Sequence, residues 1–210
     1  MSSLSIFNVE QPHCTVCGLK PSSDLSGNFI CTQCLKHHPN YDLARHALPF
    51  DGIIRRIIHE YKYNRAIWLK DDLVDILEAL TRNAIPSGDI DLILPVPLSR
   101  RKFIKRGFNQ SALLAYGLAR RLSIPFNDDC LIRFKDTPTQ THLGIEKRKE
   151  NIKGAFKVAT AAEISERRIL IVDDVMTTGA TLNEIAKALK QNGAQSVYCI
   201  ALARADMGKI

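Results

Sequence analysis

The chain has 210 residues, 45% hydrophobic and 24% charged, an ordinary globular composition with room for one full core and a small appendage. No apolar run approaches the roughly 18 residues of a membrane span, and the start MSSLSIFNVEQPHC lacks the basic and apolar regions of a signal peptide, so the expectation is a cytoplasmic protein without a membrane span. The formal charge of +7 hides an asymmetry: residues 95–157 carry 14 basic and 5 acidic side chains, a local +9 that suits phosphates or nucleic acid, with a solvated basic face as the plainer alternative.

Residues 13–38 contain Cys14-Thr-Val-Cys17, thirteen intervening residues and Cys31-Thr-Gln-Cys34, in a turn-rich stretch too poor in apolar side chains to build its own core. Each CxxC pair offers two thiolates from one tight turn, with Gly18 suited to the turn after the first pair. Two such pairs close a tetrahedral Zn2+ shell. The alternative, four buried free thiols, does not call for this spacing. Four sulfurs leave no open position, so the Zn2+ is structural and contributes on the order of 10 kcal/mol to folding the segment. His13, His37 and His38 read as surface residues, and Cys130 and Cys199 as core thiols. Residues 1–45 are assigned to this knuckle and 46–210 to the main domain.

From Gly52, Ile53, Ile54, Ile57, Ile58 and Tyr61 recur at helical spacing, and Leu69, Leu73, Ile76, Leu77 and Leu80 repeat the pattern, predicting two amphipathic helices. DLILPVP (91–97) predicts a strand feeding a basic loop, SRRKFIKRGFNQ (99–110). Residues 111–122 follow as a helix capped by Asn109. CLIRF (130–134) predicts a strand, residues 135–154 a polar loop with a short helix near its end, and GAFKV a return to the sheet. RILIVDDV (168–175) has the nearly continuous apolar run of a strand buried on both faces. A helix over LNEIAKALKQNG, closed by Gly193, and a strand over SVYCIALAR complete the pattern. Strands alternating with helices predict an α/β fold with a mostly parallel sheet flanked by helices.

The sharpest chemical signal is ILIVDDVMTTGATL (169–182). A buried strand delivers Asp173 and Asp174 to its carboxyl end, where open parallel sheets bind ligands, and Thr177, Thr178, Gly179, Ala180 and Thr181 then turn into a helix. Backbone N–H groups, hydroxyls and a helix N-terminus converge there and suit a phosphate without any cationic side chain. The carboxylates repel a phosphate and instead need a neutral polyol or a metal ion; a sugar phosphate supplies the polyol. The structural alternative is a capping box between Thr181 and Glu184 with the aspartates at the sheet surface.

This segment resembles the phosphoribosyl-pyrophosphate (PRPP) signature of type I phosphoribosyltransferases, with Ala180 where many members have a second glycine. The wider series of CxxC/CxxC, YKY (61–63), PVPLSRRKFIKRGFNQ (95–110), Gln140 with EKRKEN (146–151), and the PRPP signature resembles the ComF family of competence proteins, in its ComFC branch, across nearly the whole chain. The resemblance implies a type I phosphoribosyltransferase-like fold with a small N-terminal zinc segment. It implies that Asp173 and Asp174 bind ribose hydroxyls and that Thr177–Thr181 bind the 5′-phosphate of PRPP or another ribose 5-phosphate compound. Arg100, Arg101 and Lys102 would face the pyrophosphate, with Mg2+ sharing its neutralisation. The implied partners are single-stranded DNA and a ComFA-like helicase or translocase, with a role in DNA uptake during natural transformation. Lys105, Arg106, Lys147, Arg148, Lys149 and Lys153 are the DNA-facing cations this reading selects. Phe108 and Phe134 are either core or base-stacking residues, and Lys62 is a further side chain directed at the phosphate site. The alternative function is a Mg2+-dependent phosphoribosyltransferase with an unassigned acceptor; no catalytic residue is read from the sequence.

Overall fold

The computed structural model describes residues 12–21, 27–135 and 152–205. Four parallel strands form the central sheet: β1 (Leu43–Pro49), β2 (Leu92–Pro95), β5 (Arg168–Met176) and β6 (Ser196–Arg204), in spatial order β1-β6-β5-β2. Strand β5 lies inside the sheet, and its alternate residues serve two cores. Ile169 and Ile171 pack with Leu182, Ile185 and Leu189 of the helix that follows β5, whereas Leu170 and Val172 pack with helices on the opposite face. Burial on both faces is why its sequence is apolar without alternation.

The second face is covered by α2 (Gly52–Tyr63), α3 (Lys70–Ala84) and α5 (Gln110–Leu122). Leu73, Val74, Leu77 and Leu80 of α3, at helical spacing, meet Leu114, Ala115 and Leu118 of α5 in one buried cluster. Gly117 makes the close approach possible, because a Cβ there would lie 2.8 Å from Val74 Cγ2. Asn109 caps α5 by accepting from Ser111 N–H at 3.1 Å, and its Nδ2 donates to Val96 O at 3.1 Å, tying the helix start to the end of β2. Ile53, expected inside, is 71% exposed on the outer side of α2.

Two expectations are corrected. First, GAFKV does not rejoin the sheet: β4 (Phe156–Val158) pairs antiparallel with β3 (Leu131–Arg133) in a separate two-stranded ribbon. Only one face of each short strand is buried, and a place inside the parallel sheet requires two. Second, the basic loop is helical over α4 (Arg100–Arg106), between Ser99 and the left-handed Gly107 at φ 83°. Its straight-chain residues favour a helix even though none becomes buried. LARHALP, for which no element is predicted, forms β1, an edge strand parallel to β6. It spans the boundary expected between residues 45 and 46, and its Arg45 and terminal proline suit an edge.

The amino ends of β2 and β5 are fastened by one clamp. Arg168 N–H and Nε donate to Asp91 Oδ2 at 2.8 and 3.0 Å, Nη2 donates to Asp91 Oδ1 at 2.7 Å, and Nη1 reaches Asp89 Oδ1 at 2.9 Å. These bonds to the Arg168 side chain and backbone hold the Asp91 carboxyl down at about 2. A depressed folded-state pKa stabilises above the unfolded value and loses its effect as pH falls through the folded one. Comparing denaturation midpoints of the parent with Asp91→Asn, the difference is expected to be constant above about pH 5, to close between about pH 4 and 2, and to shrink at high salt because the pair is partly exposed. A difference that persists unchanged at pH 2 contradicts this assignment.

Candidate sugar-phosphate site and metal centre

The four knuckle cysteines are buried, and their sulfurs all lie within 4.8 Å of one another. Cys17 Sγ and Cys31 Sγ are 3.7 Å apart, close to the edge of about 3.8 Å that a tetrahedron with Zn–S bonds of about 2.3 Å requires. Gly18, at φ 68°, makes the turn after the first pair; a Cβ there would come within 3.0 Å of Ala44 O. Cys31 N–H donates to Cys14 Sγ at 3.3 Å. Burial opposes ionisation of Cys14, but the N–H groups of Cys17, Cys31 and Val16 more than offset it and lower its pKa. The residues therefore fit a tetrahedral thiophilic ion.

The knuckle is fastened to the sheet. Ala44 N–H of β1 donates to Val16 O at 2.7 Å, and Arg204 Nη1, at the end of β6, donates to Cys17 O at 2.7 Å. Arg45 Nη2 bonds Thr15 O at 2.9 Å. His37 and His38 are exposed and His13 is half-buried. Cys130 and Cys199 are core thiols, both raised in pKa by burial first of all.

At the other centre, β5 ends in two buried carboxylates. Asp173 is 9% and Asp174 3% exposed. Asp173 Oδ1 accepts from Ser111 Oγ at 3.0 Å and from Asp174 N–H at 2.9 Å. Lys62 Nζ, from the last turn of α2, lies 2.8 Å from Asp174 Oδ1. Asp174 Oδ2 is buried with no partner among the described residues, as is Ser99 Oγ just before α4. Burial and the neighbouring Asp174 charge push the Asp173 carboxyl upward, against Lys62, the Asp174 N–H and Ser111. Tyr61 is raised by burial and by the Asp174 charge.

The loop after β5 brings Thr177, Thr178 and Gly179 to the start of α6 (Ala180–Gln191), with Thr181 in its first turn. Gly179 is buried at φ 77°, where a Cβ would lie 2.8 Å from Met176 Cε and 3.5 Å from Tyr41 Oη. The capping box of the structural alternative does not form. Gly179 holds the cap position without a side-chain bond, and Glu184 instead accepts from Gly154 N–H at 2.8 Å. Thr178 Oγ1 accepts from Ala180 N–H at 3.2 Å. First-turn N–H groups have no carbonyl one turn back, so this end suits an anion.

The cations predicted for pyrophosphate divide. Arg100 and Arg101 are exposed on α4, whereas Lys102 is half-buried. Burial first, then Arg133, Arg106 and Lys62, lower the Lys102 pKa, with Asp174 opposing. Lys102 therefore belongs to the cationic group beside the acidic pair. Arg106 donates to Gln110 Oε1 and lies 4.9 Å from the centroid of Tyr63. Lys105 and Lys153 are exposed. Lys147, Arg148, Lys149, Gln140 and the EKRKEN run lie outside the described residues. Phe108 is half-buried, edge-on to Tyr61 at 6.3 Å, whereas Phe134 is 53% exposed. Ser111 was not singled out by the sequence; its position two residues after the Asn109 cap is the only local clue.

The fold and the centre at the end of β5 define a type I phosphoribosyltransferase-like protein, and a phosphoribosyl transferase domain model matches residues 109–209. Competence protein F of Haemophilus influenzae is 36% identical over 203 residues, covering 92% of this chain and 85% of that one. DNA utilization protein YhgH of Escherichia coli is 32% identical over 194 residues, covering 91% and 83%. Competence protein ComFC of Bacillus subtilis is 34% identical over 115 residues, covering 54% and 44%. Adenine phosphoribosyltransferase of Saccharomyces cerevisiae is a looser structural neighbour, at TM-score 0.41 and 18% identity over 69% of this chain and 80% of that one. The chain belongs to the competence protein F (ComF) family.

Native mass spectrometry of protein purified without chelator is expected to find one zinc ion per chain, with the four knuckle thiols resistant to alkylation until the metal is stripped. Metal-free protein with four freely alkylated thiols contradicts the tetrahedral site.

Proposed function

We propose that the protein binds PRPP or a related ribose 5-phosphate compound at the end of β5, and single-stranded DNA on its basic surface, as part of DNA uptake in transformation. The observation that carries the first half is the junction of a buried acidic pair with a phosphate-type loop. Asp173, held by Ser111, accepts from ribose hydroxyls, and the first turn of α6 takes the 5′-phosphate. Lys62 answers the Asp174 charge without occupying the loop. The buried, unpartnered Asp174 Oδ2 fits the Mg2+ that the fold family implies. When bound with PRPP, that ion neutralises pyrophosphate.

The DNA half is supported by the names of the relatives and by the surface chemistry. Phe134 is exposed, with Lys135 Nζ 5.9 Å and Lys157 Nζ 6.0 Å from its ring centroid, and α4 adds Arg100, Arg101 and Lys105. Aromatic faces stack on bases while cations follow phosphates, a combination suited to single strands with little sequence preference. No helix among the described residues is long and apolar enough to cross a membrane. The proposed setting is the cytoplasm, beside a DNA translocase.

A second reading, PRPP turnover with loss of pyrophosphate from C1, is favoured by the partly buried Lys102 beside Lys62 and Arg106. Pyrophosphate release on incubation with PRPP and an acceptor distinguishes it from binding alone.

Two measurements test the main proposal. By calorimetry with ribose 5-phosphate, Asp173→Asn is expected to weaken binding by about 10- to 150-fold, from losing a charged hydrogen bond of about 1.5–3 kcal/mol. Unchanged affinity contradicts the ribose role. With oligo(dT), affinity is expected to fall steeply with salt, and Phe134→Ala to cost about 1–3 kcal/mol with the salt slope retained. Binding that is insensitive to both salt and Phe134 removes this surface from the account.

A further inference from the structure

The chain itself supplies a cation to Asp174. Lys62 Nζ lies 2.8 Å from Asp174 Oδ1, and the two side chains are 17% and 4% exposed. The second oxygen, Oδ2, is buried without a partner among the described residues. As the pair stands, one oxygen is held by the ammonium and the other is out of contact with solvent. An incoming group therefore reaches this carboxylate by moving Lys62, the more exposed member of the pair.

The backbone under Lys62 is anchored on both sides. Tyr61 is fully buried, and its Oη donates to Gln110 O at 3.4 Å. Tyr63 carries the Arg106 guanidinium 4.9 Å from its ring centroid, and Asn64 N–H closes the helix on Glu60 O at 3.0 Å. The flexible four-carbon stem of Lys62 can leave Asp174 without disturbing any of these contacts. An ammonium on Oδ1 occupies a ligand atom and also repels a second cation at the same carboxylate. A neutral hydroxyl meets only the first obstacle, whereas a divalent ion meets both.

We propose that Lys62 is a specificity residue of the candidate sugar-phosphate site, a tethered competitor that keeps free divalent cations off Asp174. The inference rests on the sugar-phosphate reading, which assigns such an ion to that carboxylate. A partly buried ammonium that leaves its carboxylate is uncompensated unless it gains another anion, and a phosphorylated ligand provides one. Lys62 thereby makes the site accept a divalent ion together with a phosphorylated ligand in preference to the ion alone.

The test titrates the full chain as purified with Mn2+, reading the free ion by electron paramagnetic resonance. A unit charge within about 4–6 Å shifts a charge equilibrium by about one to three powers of ten, so Lys62→Met is expected to bind Mn2+ about tenfold or more tightly than the parent. Lys62→Arg, which keeps the charge, is expected to stay near the parent. Adding Asp174→Asn to Lys62→Met is expected to abolish the gain. Ions held by the knuckle beside α1 (Thr32–His37) or by surface carboxylates do not respond to that change, so the double variant isolates the acidic pair. Unchanged Mn2+ affinity in Lys62→Met, or a gain that survives Asp174→Asn, overturns the proposal. If Lys62→Met fails to fold, NMR of the Lys62 side-chain amine in the parent decides. Its signal is expected to shift when Mg2+ and ribose 5-phosphate are added together, and a shift produced in full by Mg2+ alone overturns the proposal. Ribose 5-phosphate affinity of the parent is measured by calorimetry on the same samples. Its absence counts against the sugar-phosphate reading, whereas the Mn2+ comparison judges Lys62 by itself.

Discussion

Two carboxylates withdrawn from water at the end of one strand are unfavourable unless neighbouring groups answer their charge, and at the end of β5 those groups come from elsewhere in the chain. Lys62 reaches Asp174 from α2, and Ser111 reaches Asp173 from the first turn of α5. Removing one member of a buried ion pair leaves the other uncompensated, so the pairing fixes where α2 ends relative to the sheet. The Asn109 cap does the same for α5, because its amide is bonded to Val96 O just beyond β2. The carboxyl ends of β2 and β5, the start of α5 and the last turn of α2 are thereby brought to one place. The energetic burden of the acidic pair and the assembly of the candidate sugar-phosphate site are one problem with one solution.

On the opposite edge of the sheet a second constraint operates. The knuckle has little apolar surface of its own, yet its cysteines are buried within the same cluster as Ile169, Ile171 and Leu182. Its stability therefore depends on contact with the sheet. The bond from Ala44 N–H to Val16 O and that from Arg204 to Cys17 O join it to β1 and β6. Arg204 also lowers the pKa of Cys17 against the larger effect of burial, so one guanidinium links the sulfur cluster to β6. The bond to Val16 O occupies one N–H of the β1 edge.

The parts of this architecture that were legible in the sequence are those decided by short-range patterns. The uninterrupted RILIVDDV run declares a doubly buried strand, the CxxC spacing declares the clustered sulfurs, and Asn109 declares a helix start. What was not legible depended on partners far along the chain. Ser111 and Asp173 are 62 positions apart, and nothing local distinguishes Ser111 from any other hydroxyl near a helix start. Strand β1 carries the polar Arg45, bonded to Thr15 of the knuckle, and His46 beside it, which obscures a strand pattern. In SRRKFIKR the density of charge suggested a loop, whereas helix propensity with a glycine stop prevailed. Thr181 and Glu184 had the spacing of a capping box, but Glu184 is engaged by Gly154, which leaves the helix end open.

The central claim is that the chain end of β5 and the first turn of α6 together hold a ribose 5-phosphate. A crystal structure of the protein soaked with ribose 5-phosphate tests it most directly. The account predicts phosphate oxygens within about 2.7–3.2 Å of N–H groups between Thr178 and Leu182, and a ribose hydroxyl donating to the Asp173 carboxylate. Density for the sugar phosphate at another place, with the acidic pair and the loop unoccupied at saturating ligand, would contradict it.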